Sequence, residues 1–185
     1  ERSALIVMDM VKGFVCEGAL QSARVAALIP EIRDLMLKCS ERGIPILAFA
    51  DTHPEDSPEF AAYPPHCLMG TSESEIVSEL SDVPHTLIPK ASTNGFLEEG
   101  FRQWLQDNPH VDTFVVVGDC TDICIQQFAF TLKADFDRRS RASRVIVPVN
   151  AVDTFDADFH NGDLLNIIFL YSLWSGGIEV VAGLS

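Results

Sequence analysis

Short runs of β-branched and other apolar residues recur along the chain, separated by segments with helical periodicity. Residues 4–8 and 113–117 are nearly continuous in apolar residues rather than alternating with polar ones. Strands of this kind are buried on both faces, which is typical of parallel strands covered by helices on either side. Short strands that alternate with helices indicate repeated βαβ units. The sequence therefore predicts an α/β fold, a three-layer α/β/α sandwich around a central, mainly parallel six-stranded sheet.

Six segments have the pattern of strands and four have that of helices. The predicted strands are residues 4–8, 44–50, 86–88, 113–117, 144–149 and 178–181. The predicted helices are residues 25–41, in which Pro30 could introduce a bend, residues 100–106, a helix that begins near residue 122 or 123, and residues 164–174. We expect a single domain over residues 1–185, because this length is enough for one sizeable core and short for two.

The charge of the chain limits the partners that it can bind. Twenty-seven acidic and thirteen basic residues give a formal net charge of -14, which repels nucleic acid backbones and anionic membranes. No apolar run approaches the roughly 18 residues of a membrane span. Strand-like sequence begins at Ser3, which leaves no room for a signal peptide, so we expect a cytoplasmic protein. A small molecule is the expected partner, and the sequence leaves a homo-oligomer open.

Side chains suited to catalysis stand where four of the predicted strands end. Asp9 follows the first strand, Asp51 the second and Lys90 the third, while the fourth leads through Gly118 to Cys124. The carboxyl ends of parallel strands meet at one edge of the sheet, where ligands bind. Each residue alone has an ordinary explanation as a turn, cap or surface group. Their joint placement predicts one site with an acid, a metal-type ligand, a base and a thiol.

The stretch GDCTDICIQQ, residues 118–127, contains two cysteines and could be a zinc clip, a disulfide or a nucleophile turn. A zinc clip needs two further ligands, and only His110 lies within twenty residues. Five cysteines in a chain without a secretory signal argue against disulfides. Cys124 falls in the first turn of a predicted helix, where backbone N–H groups lower a thiol pKa and can bind an oxyanion. We interpret Cys124 as the nucleophile, with Cys120 contributing only its backbone.

The longest non-periodic stretch, which begins at Asp51, holds a second group of side chains. Asp51 and His53 are two residues apart, so both side chains point the same way in an extended segment. Glu59 and His66 follow in the same stretch. Two imidazoles with one or two carboxylates form a ligand set suited to Zn²⁺, Mn²⁺ or Fe²⁺. The alternative is a polar loop with exposed histidines, and the spacing does not decide between the two.

Four sequence segments, in their order and spacing, carry a family resemblance over nearly the whole chain. They are ALIVMDMVKGF, then FADTHP with YPPHCLMGT, then HTLIPKASTNGF, and finally VVVGDCTDICIQQFAF. Together they resemble the nicotinamidase branch of the isochorismatase-like cysteine hydrolases. The resemblance implies the isochorismatase-like hydrolase fold and an enzyme that converts nicotinamide to nicotinate and ammonia in NAD salvage.

The resemblance also implies catalytic roles for individual residues. Asp9 would take the proton of the Cys124 thiol, Cys124 would attack the carboxamide carbon to form a thioester, and Lys90 would balance the charge. The tetrahedral oxyanion would be held by the backbone amides of Cys120 and Cys124. The family has a cis peptide bond at this turn, which here would join Asp119 to Cys120.

A divalent metal ion is the cofactor that the resemblance implies, with Zn²⁺ first and Mn²⁺ or Fe²⁺ as alternatives. Its role would be to receive the pyridine nitrogen of the substrate. The implied metal ligands are Asp51, His53, His66 and, by analogy with some members only, Glu59. Phe14 and Tyr63 match positions where the family surrounds the substrate with aromatic rings. Tyr63 stands where Trp is usual, and Cys120 stands at the substrate where a small residue such as Ala is common.

Three other hypotheses remain open from the sequence. A related amidase of the same fold would act on another small carboxamide. A metal hydrolase would use zinc-bound hydroxide as its nucleophile, and it would then keep its activity without Cys124. A catalytically idle binding protein is the third alternative, and the presence of Asp9, Lys90 and Cys124 argues against it.

Overall fold

Seven parallel strands form the central sheet of the computed structural model, which describes residues 2–184. The strands are β1 (Ser3–Met8), β2 (Ile46–Asp51), β3 (Thr86–Lys90), β4 (Thr113–Asp119), β5 (Arg144–Pro148), β6 (Val152–Asp153) and β7 (Glu179–Val181). Their order across the sheet is β3-β2-β1-β4-β5-β7, and the short β6 pairs with the end of β4. The predicted parallel α/β architecture is confirmed, with one strand more than expected.

Helices and short helical turns connect the strands. The helices are α1 (Lys12–Val15), α2 (Ala23–Ala26), α3 (Ile29–Glu41), α4 (Ser78–Ser81), α5 (Glu99–Asp107), α6 (Gln126–Arg138) and α7 (Gly162–Ser175). A π-helical turn, Thr121–Ile125, precedes α6, and 3-10 turns occur at Pro58–Ala61, Ser72–Ser74, Gly95–Leu97 and Val149–Ala151. Within residues 2–184, none of the helices has the length and apolar character needed to cross a lipid bilayer.

The two faces of the sheet bury separate cores, which explains the continuous apolar runs. Ile6 and Met8 of β1 face one core, which includes Phe128 of α6. Leu5 and Val7 face the other core, which helices on the opposite side of the sheet complete. Because successive side chains of a strand point to opposite faces, a strand covered on both sides needs apolar residues at every position.

Pro30 begins a helix rather than bending one. The predicted helix over residues 25–41 is instead two helices, α2 and α3, and Pro30 is the second residue of α3. A proline is tolerated in the first turn because its missing N–H has no partner within the helix there. The predicted bend is therefore wrong, and the break between α2 and α3 lies at residues 27 and 28, before Pro30.

The strand β6 was not predicted, since a pair of residues carries no periodic signal. Val152 pairs with Gly118 and Asp153 with Asp119, so β6 extends the sheet beside the end of β4. The hydroxyl of Thr154, the next residue, donates a 2.6 Å hydrogen bond to Asp122 Oδ1. This pairing brings the segment after residue 153 against the turn that carries Cys124.

The order of the strands determines where a ligand can bind. From β1 the chain builds the sheet outward through β2 and β3, then crosses to the other side of β1 and continues with β4, β5 and β7. A crevice opens at such a reversal, beyond the carboxyl ends of β1 and β4. Asp9 follows β1 and Cys124 follows β4, so both flank this crevice.

We predict that Gly118→Ala destabilises the fold by about 3 kcal/mol. Gly118 has a φ of 109°, and a Cβ at this position would collide with the backbone carbonyl of Met8 in the neighbouring strand. Gly43→Ala is the matched control, because Gly43 also has a positive φ, 66°, but its Cβ would meet no atom within 4 Å. We expect a loss of about 1 kcal/mol for that variant, from backbone strain alone. Urea unfolding measures both, and equal losses would contradict the predicted close approach.

Candidate active site

The side chain of Lys90 lies at the centre of the site and is 1% exposed. Its Nζ is 3.1 Å from Asp9 Oδ2 and 2.6 Å from Asp51 Oδ1. Nζ also donates a 2.8 Å hydrogen bond to the carbonyl of Ser92 and lies 3.8 Å from Cys124 Sγ. Asp9, Asp51 and Cys124, the acid, the metal-type ligand and the thiol predicted from the strand ends, therefore meet around the ammonium group of Lys90.

The hydrogen-bond ladder of the sheet places these groups. Asp51 and Lys90 are register partners at the ends of β2 and β3, so their side chains emerge next to each other. Asp9 lies one residue beyond β1, and its N–H donates to the carbonyl of Phe49 at 3.1 Å. Asp9 has a left-handed φ of 54°, a conformation that costs energy for a residue other than glycine and occurs more often at functional sites. The conformation is held by the neighbouring strand.

Burial makes Asp9 a base suited to neutral pH. Removal from water raises the pKa of Asp9 to about 7, and the charge of Lys90 limits that rise. For Lys90, burial would lower the pKa, but the facing charges of Asp9, Cys124 and Asp51 outweigh it and raise the pKa well above the ordinary value. Lys90 therefore stays a cation, and Asp9 can exchange a proton near neutrality.

Cys124 is a buried thiol rather than a preformed thiolate. It lies in the π-helical turn Thr121–Ile125 and is 8% exposed. Burial raises the pKa of Cys124 well above its ordinary value, although Lys90 acts in the opposite direction. The predicted lowering of this pKa is therefore wrong, because desolvation of the sulfur outweighs the other influences. A thiol of this kind needs a base before it can attack.

The turn before Cys124 has the peptide geometry that the resemblance implies. The bond between Asp119 and Cys120 is cis. The carbonyl of Cys120 accepts hydrogen bonds from the N–H groups of Ile123 and Ile125, both at 3.1 Å. The five cysteines, which all fall in the described residues, are free thiols, as expected. The assignment of the Cys120 and Cys124 amides to an oxyanion remains a prediction.

Three ligand-type side chains of the 51–69 stretch converge at one point. Single donor atoms of Asp51, His53 and His66 lie within 4.8 Å of one another. Asp51 Oδ2 is 2.9 Å from His53 Nε2 and 3.1 Å from His66 Nε2. The two histidines are 0% and 3% exposed. The alternative of a polar loop with exposed histidines is therefore wrong.

The hydrogen bonds behind this group suit a cation. His66 Nδ1 lies 2.7 Å from the carbonyl of Pro64, which can only accept, so Nδ1 must carry the proton. In a neutral imidazole, Nε2 then directs a lone pair at Asp51 Oδ2. Burial opposes ionisation of Asp51, but its pKa lies below the ordinary value, and the charge of Lys90 is the largest influence that lowers it. Lone pairs that face one another from an ionised carboxylate and an imidazole fit a bound divalent metal.

Glu59 and the predicted aromatic residues surround this group at greater distance. Glu59 Oε1 is 3.9 Å from His53 Nε2, so it lies at the edge of the three-residue cluster rather than within it. The ring of Phe14 is 5.6 Å from that of His66, and the ring of Tyr63 is 6.3 Å from it. The sequence interpretation missed Phe60, whose ring centroid lies 5.5 Å from those of both histidines.

A cavity of about 390 Å³ joins the thiol to the histidine cluster. Most of the exposed area of its wall is apolar, which is typical of a site for a small organic ligand. The predicted site residues that line it are Phe14, Asp51, Glu59, Tyr63, His66, Lys90, Cys120 and Cys124. Asp9 and His53, both 0% exposed, do not line it. The thiol, the aromatic rings and two of the three clustered ligands thus share one space.

The sequence interpretation also missed Asp119, a further acid in the cavity wall. Asp119 ends β4 and is 2% exposed, and its Oδ2 accepts a 3.3 Å hydrogen bond from Cys120 Sγ. Burial raises the pKa of Asp119 well above the ordinary value, with a further contribution from the charge of Asp9. The sequence does contain a signal for Asp119, because it is an acid at the end of an apolar run. The same criterion selects Asp9 and Asp51.

A hydrogen bond between two residues 38 positions apart anchors one wall of the cavity. His160 Nε2 lies 2.8 Å from Asp122 Oδ2, and Asp122 belongs to the turn that holds Cys124. The imidazole of His160 stacks on Phe155 with ring centroids 3.7 Å apart. Phe155 and Phe159 line the cavity. No local sequence pattern predicts this contact, because it depends on the pairing of β6 with β4.

Comparison with known sequences identifies the family. The protein-family model of the Isochorismatase domain matches residues 3–171. Nicotinamidase 1 of Arabidopsis thaliana is 32% identical over 211 aligned positions, which cover 98% of this chain and 86% of that protein. The match therefore extends over nearly the whole chain. The range 3–171 contains the positions of all the site residues described above.

Solved structures share the fold. Pyrazinamidase of Pyrococcus horikoshii, solved in complex with zinc, has a TM-score of 0.80 and 26% identity, with coverage of 98% of this chain and 99% of that chain. N-carbamoylsarcosine amidase from Thermoplasma acidophilum has a TM-score of 0.78 and 26% identity, with coverage of 98% and 96%. Since the family match and the fold agree along the chain, this protein belongs to the isochorismatase-like hydrolase family, in its nicotinamidase branch.

Proposed function

We propose that this protein is a nicotinamidase, which hydrolyses nicotinamide to nicotinate and ammonia through a thioester on Cys124. The observation that carries the proposal is that Cys124 and Lys90 line the same cavity as the clustered ligands Asp51 and His66. The relationship to Nicotinamidase 1 supports the choice of substrate. Such a reaction would return nicotinamide to NAD synthesis, and we propose the cytoplasm as its location.

The proton of the thiol goes to Asp9, the base with a pKa near neutrality. Cys124 Sγ then forms a bond to the carboxamide carbon, and the carbonyl electron pair moves onto oxygen, where the amides of Cys120 and Cys124 are proposed to hold it. When the carbon–nitrogen bond breaks, Asp9 returns the proton to nitrogen and ammonia leaves. Water then adds to the thioester, the carbon–sulfur bond breaks, and nicotinate is released as the thiol re-forms.

Lys90 keeps the charge of the site balanced during these steps. Its ammonium group is 3.1 Å from Asp9 and 3.8 Å from Cys124 Sγ, so it can stabilise negative charge on either group. In a site with little water, this electrostatic stabilisation is stronger than it would be at the surface. Lys90 thus holds the proton-transfer partners together without itself giving up a proton.

Asp51, His53 and His66 are the residues proposed to hold a divalent cation, with Glu59 as a further ligand. We propose Zn²⁺ as the ion, and the same donors also suit Mn²⁺ or Fe²⁺. When bound, the cation supplies an electron-pair acceptor for the pyridine nitrogen. The rings of Phe14 and Tyr63, which lie near His66, are proposed to flank the pyridine ring and to exclude water.

A second candidate is an amidase for another small carboxamide. The likeness to N-carbamoylsarcosine amidase, at the same 26% identity as the likeness to pyrazinamidase, favours keeping this candidate. Tyr63 and Cys120 lie in the cavity wall and are departures from the usual residues of the nicotinamidase branch. An ammonia-release assay on nicotinamide, pyrazinamide and N-carbamoylsarcosine, with the protein loaded with Zn²⁺, separates the two. No release from nicotinamide would refute the nicotinamidase proposal.

Cys124→Ala is expected to lower ammonia release from nicotinamide by roughly a thousandfold or more, because the nucleophile is lost. Metal content should stay at the level of the unchanged protein, since the sulfur is not among the clustered ligands. Cys16→Ala is the matched control, because Cys16 is an exposed free thiol and should leave the rate unchanged. Activity retained in Cys124→Ala and lost on chelation would instead favour a metal-bound hydroxide as the nucleophile.

The rate should fall as the pH is lowered through the pKa of Asp9, because only the ionised carboxylate can accept the thiol proton. The midpoint should lie near the pKa of about 7, and a cation bound at Asp51 would lower it. Asp9→Asn should reduce turnover by roughly 10² to 10⁴-fold. The measurement is kcat/KM between about pH 5 and 9. A rate that stays flat or rises on acidification would remove Asp9 as the base.

His53→Ala and His66→Ala are each expected to lose bound metal, because each removes one of three converging donors. His85→Ala is the control, since His85 Nδ1 contacts the carbonyl of Val83 at 2.7 Å and the residue is not part of the cluster. The measurement is metal content by atomic emission after loading with Zn²⁺ and desalting, with ammonia release in parallel. Equal metal content in the three variants would contradict the proposed site.

A further inference from the structure

One side of α7 exposes five large apolar side chains. They are Leu164 (55% exposed), Ile167 (69%), Ile168 (46%), Tyr171 (66%) and Trp174 (61%). Their spacing along the helix places them on one side, which we call the α7 face. The opposite side of α7 is anchored in the core by Leu173, which is 0% exposed. Among residues 2–184, no other helix exposes so many large apolar side chains.

The α7 face is also free of charge. The chain has no charged residue between Asp163 and Glu179, although its formal net charge is -14. A charged partner would therefore find no counterpart on this face. An anionic membrane would be repelled by the acidic remainder of the surface. The chemistry that fits is a neutral, apolar surface of similar shape, which a second copy of this chain provides.

The area of the face is sufficient for a pair of copies. At the exposures given above, the five side chains offer on the order of 500 Å² of apolar surface per subunit. Two copies that cover each other's α7 face would bury about 1,000 Å² from these residues alone, which reaches the size of a specific interface. The largest apolar patch on a typical monomer is roughly 300–600 Å² and is often functional, so the α7 face has the size of a contact surface.

We propose that the α7 face is the interface of a homodimer, in which the two α7 helices pack against each other across a twofold axis. A twofold axis brings the same surface of both subunits together, so the α7 face needs to be complementary only to itself. The inner side of α7 packs against α6 and the π-helical turn that carries Cys124, and Gln126 Nε2 donates a 3.4 Å hydrogen bond to Ser172 Oγ. The interface would therefore lie directly behind the nucleophile turn.

The test is the mass of the full chain in solution, by light scattering after gel filtration and by sedimentation over a concentration series. We expect a dimer for the unchanged protein, and monomers for Ile167→Glu and Tyr171→Glu, because each variant would bury two carboxylates against each other. Leu37→Glu is the matched control: Leu37 is an exposed apolar residue of α3, 41% exposed, and this variant should remain a dimer. Added salt should tighten the dimer, since it screens the repulsion between two acidic subunits.

Circular dichroism and thermal unfolding of each variant would show that the change lies in association and not in folding, since both substituted side chains are exposed. A monomer of the unchanged protein at tens of micromolar would overturn the proposal. So would a dimer that persists in both α7 variants, since the interface would then lie elsewhere. A monomer that floats with neutral phosphatidylcholine vesicles would assign the face to a lipid surface and would also overturn it.

Discussion

The buried ammonium group of Lys90 is the interaction on which the rest of the site depends. Moving a cation out of water costs several kcal/mol unless opposite charges and hydrogen bonds surround it. Asp9, Asp51 and the carbonyl of Ser92 supply that compensation within 3.1 Å. Both carboxylates would be unfavourable at this depth without the cation. The residues around Lys90 and the histidine cluster therefore depend on each other, since Asp51 directs one oxygen at Lys90 and the other at the two histidines.

Burial also decides which group carries the reactive proton. A helix N-terminus favours a thiolate, yet the sulfur of Cys124 is so well shielded from water that its pKa rises. The same desolvation brings the pKa of Asp9 to about 7. A neutral thiol next to a carboxylate of this pKa fits the proposed general base catalysis, in which the thiolate would form as the substrate reacts. In the proposed mechanism, the apolar wall of the cavity would contribute to chemistry as well as to binding.

The sequence was sufficient for the features that depend on local patterns. Continuous apolar runs predicted the parallel sheet, and the rule that strand ends share one edge brought Asp9, Lys90 and Cys124 together. What it could not supply depends on distant contacts or on solvent: the strand β6, the pairing of His160 with Asp122, and the direction of the Cys124 pKa. Glu59 lies at the edge of the cluster because of the path of its loop, and the spacing of residues in the sequence does not predict that path. Asp119, by contrast, follows the same local pattern as Asp9 and Asp51, an acid at the end of an apolar run.

The register of the sheet has a consequence for how such an enzyme can diversify. Asp51 and Lys90 are fixed beside each other by the ladder between β2 and β3, and Asp9 is tied to the same ladder through Phe49. Insertions between strands leave these distances unchanged, whereas a shift of one residue within a strand would turn the side chains to the other face. Tyr63 and Phe159 lie on loops that form the cavity wall. New substrate preferences can therefore arise most readily from changes in these loops. The residues that the sheet holds in place tolerate little change in position.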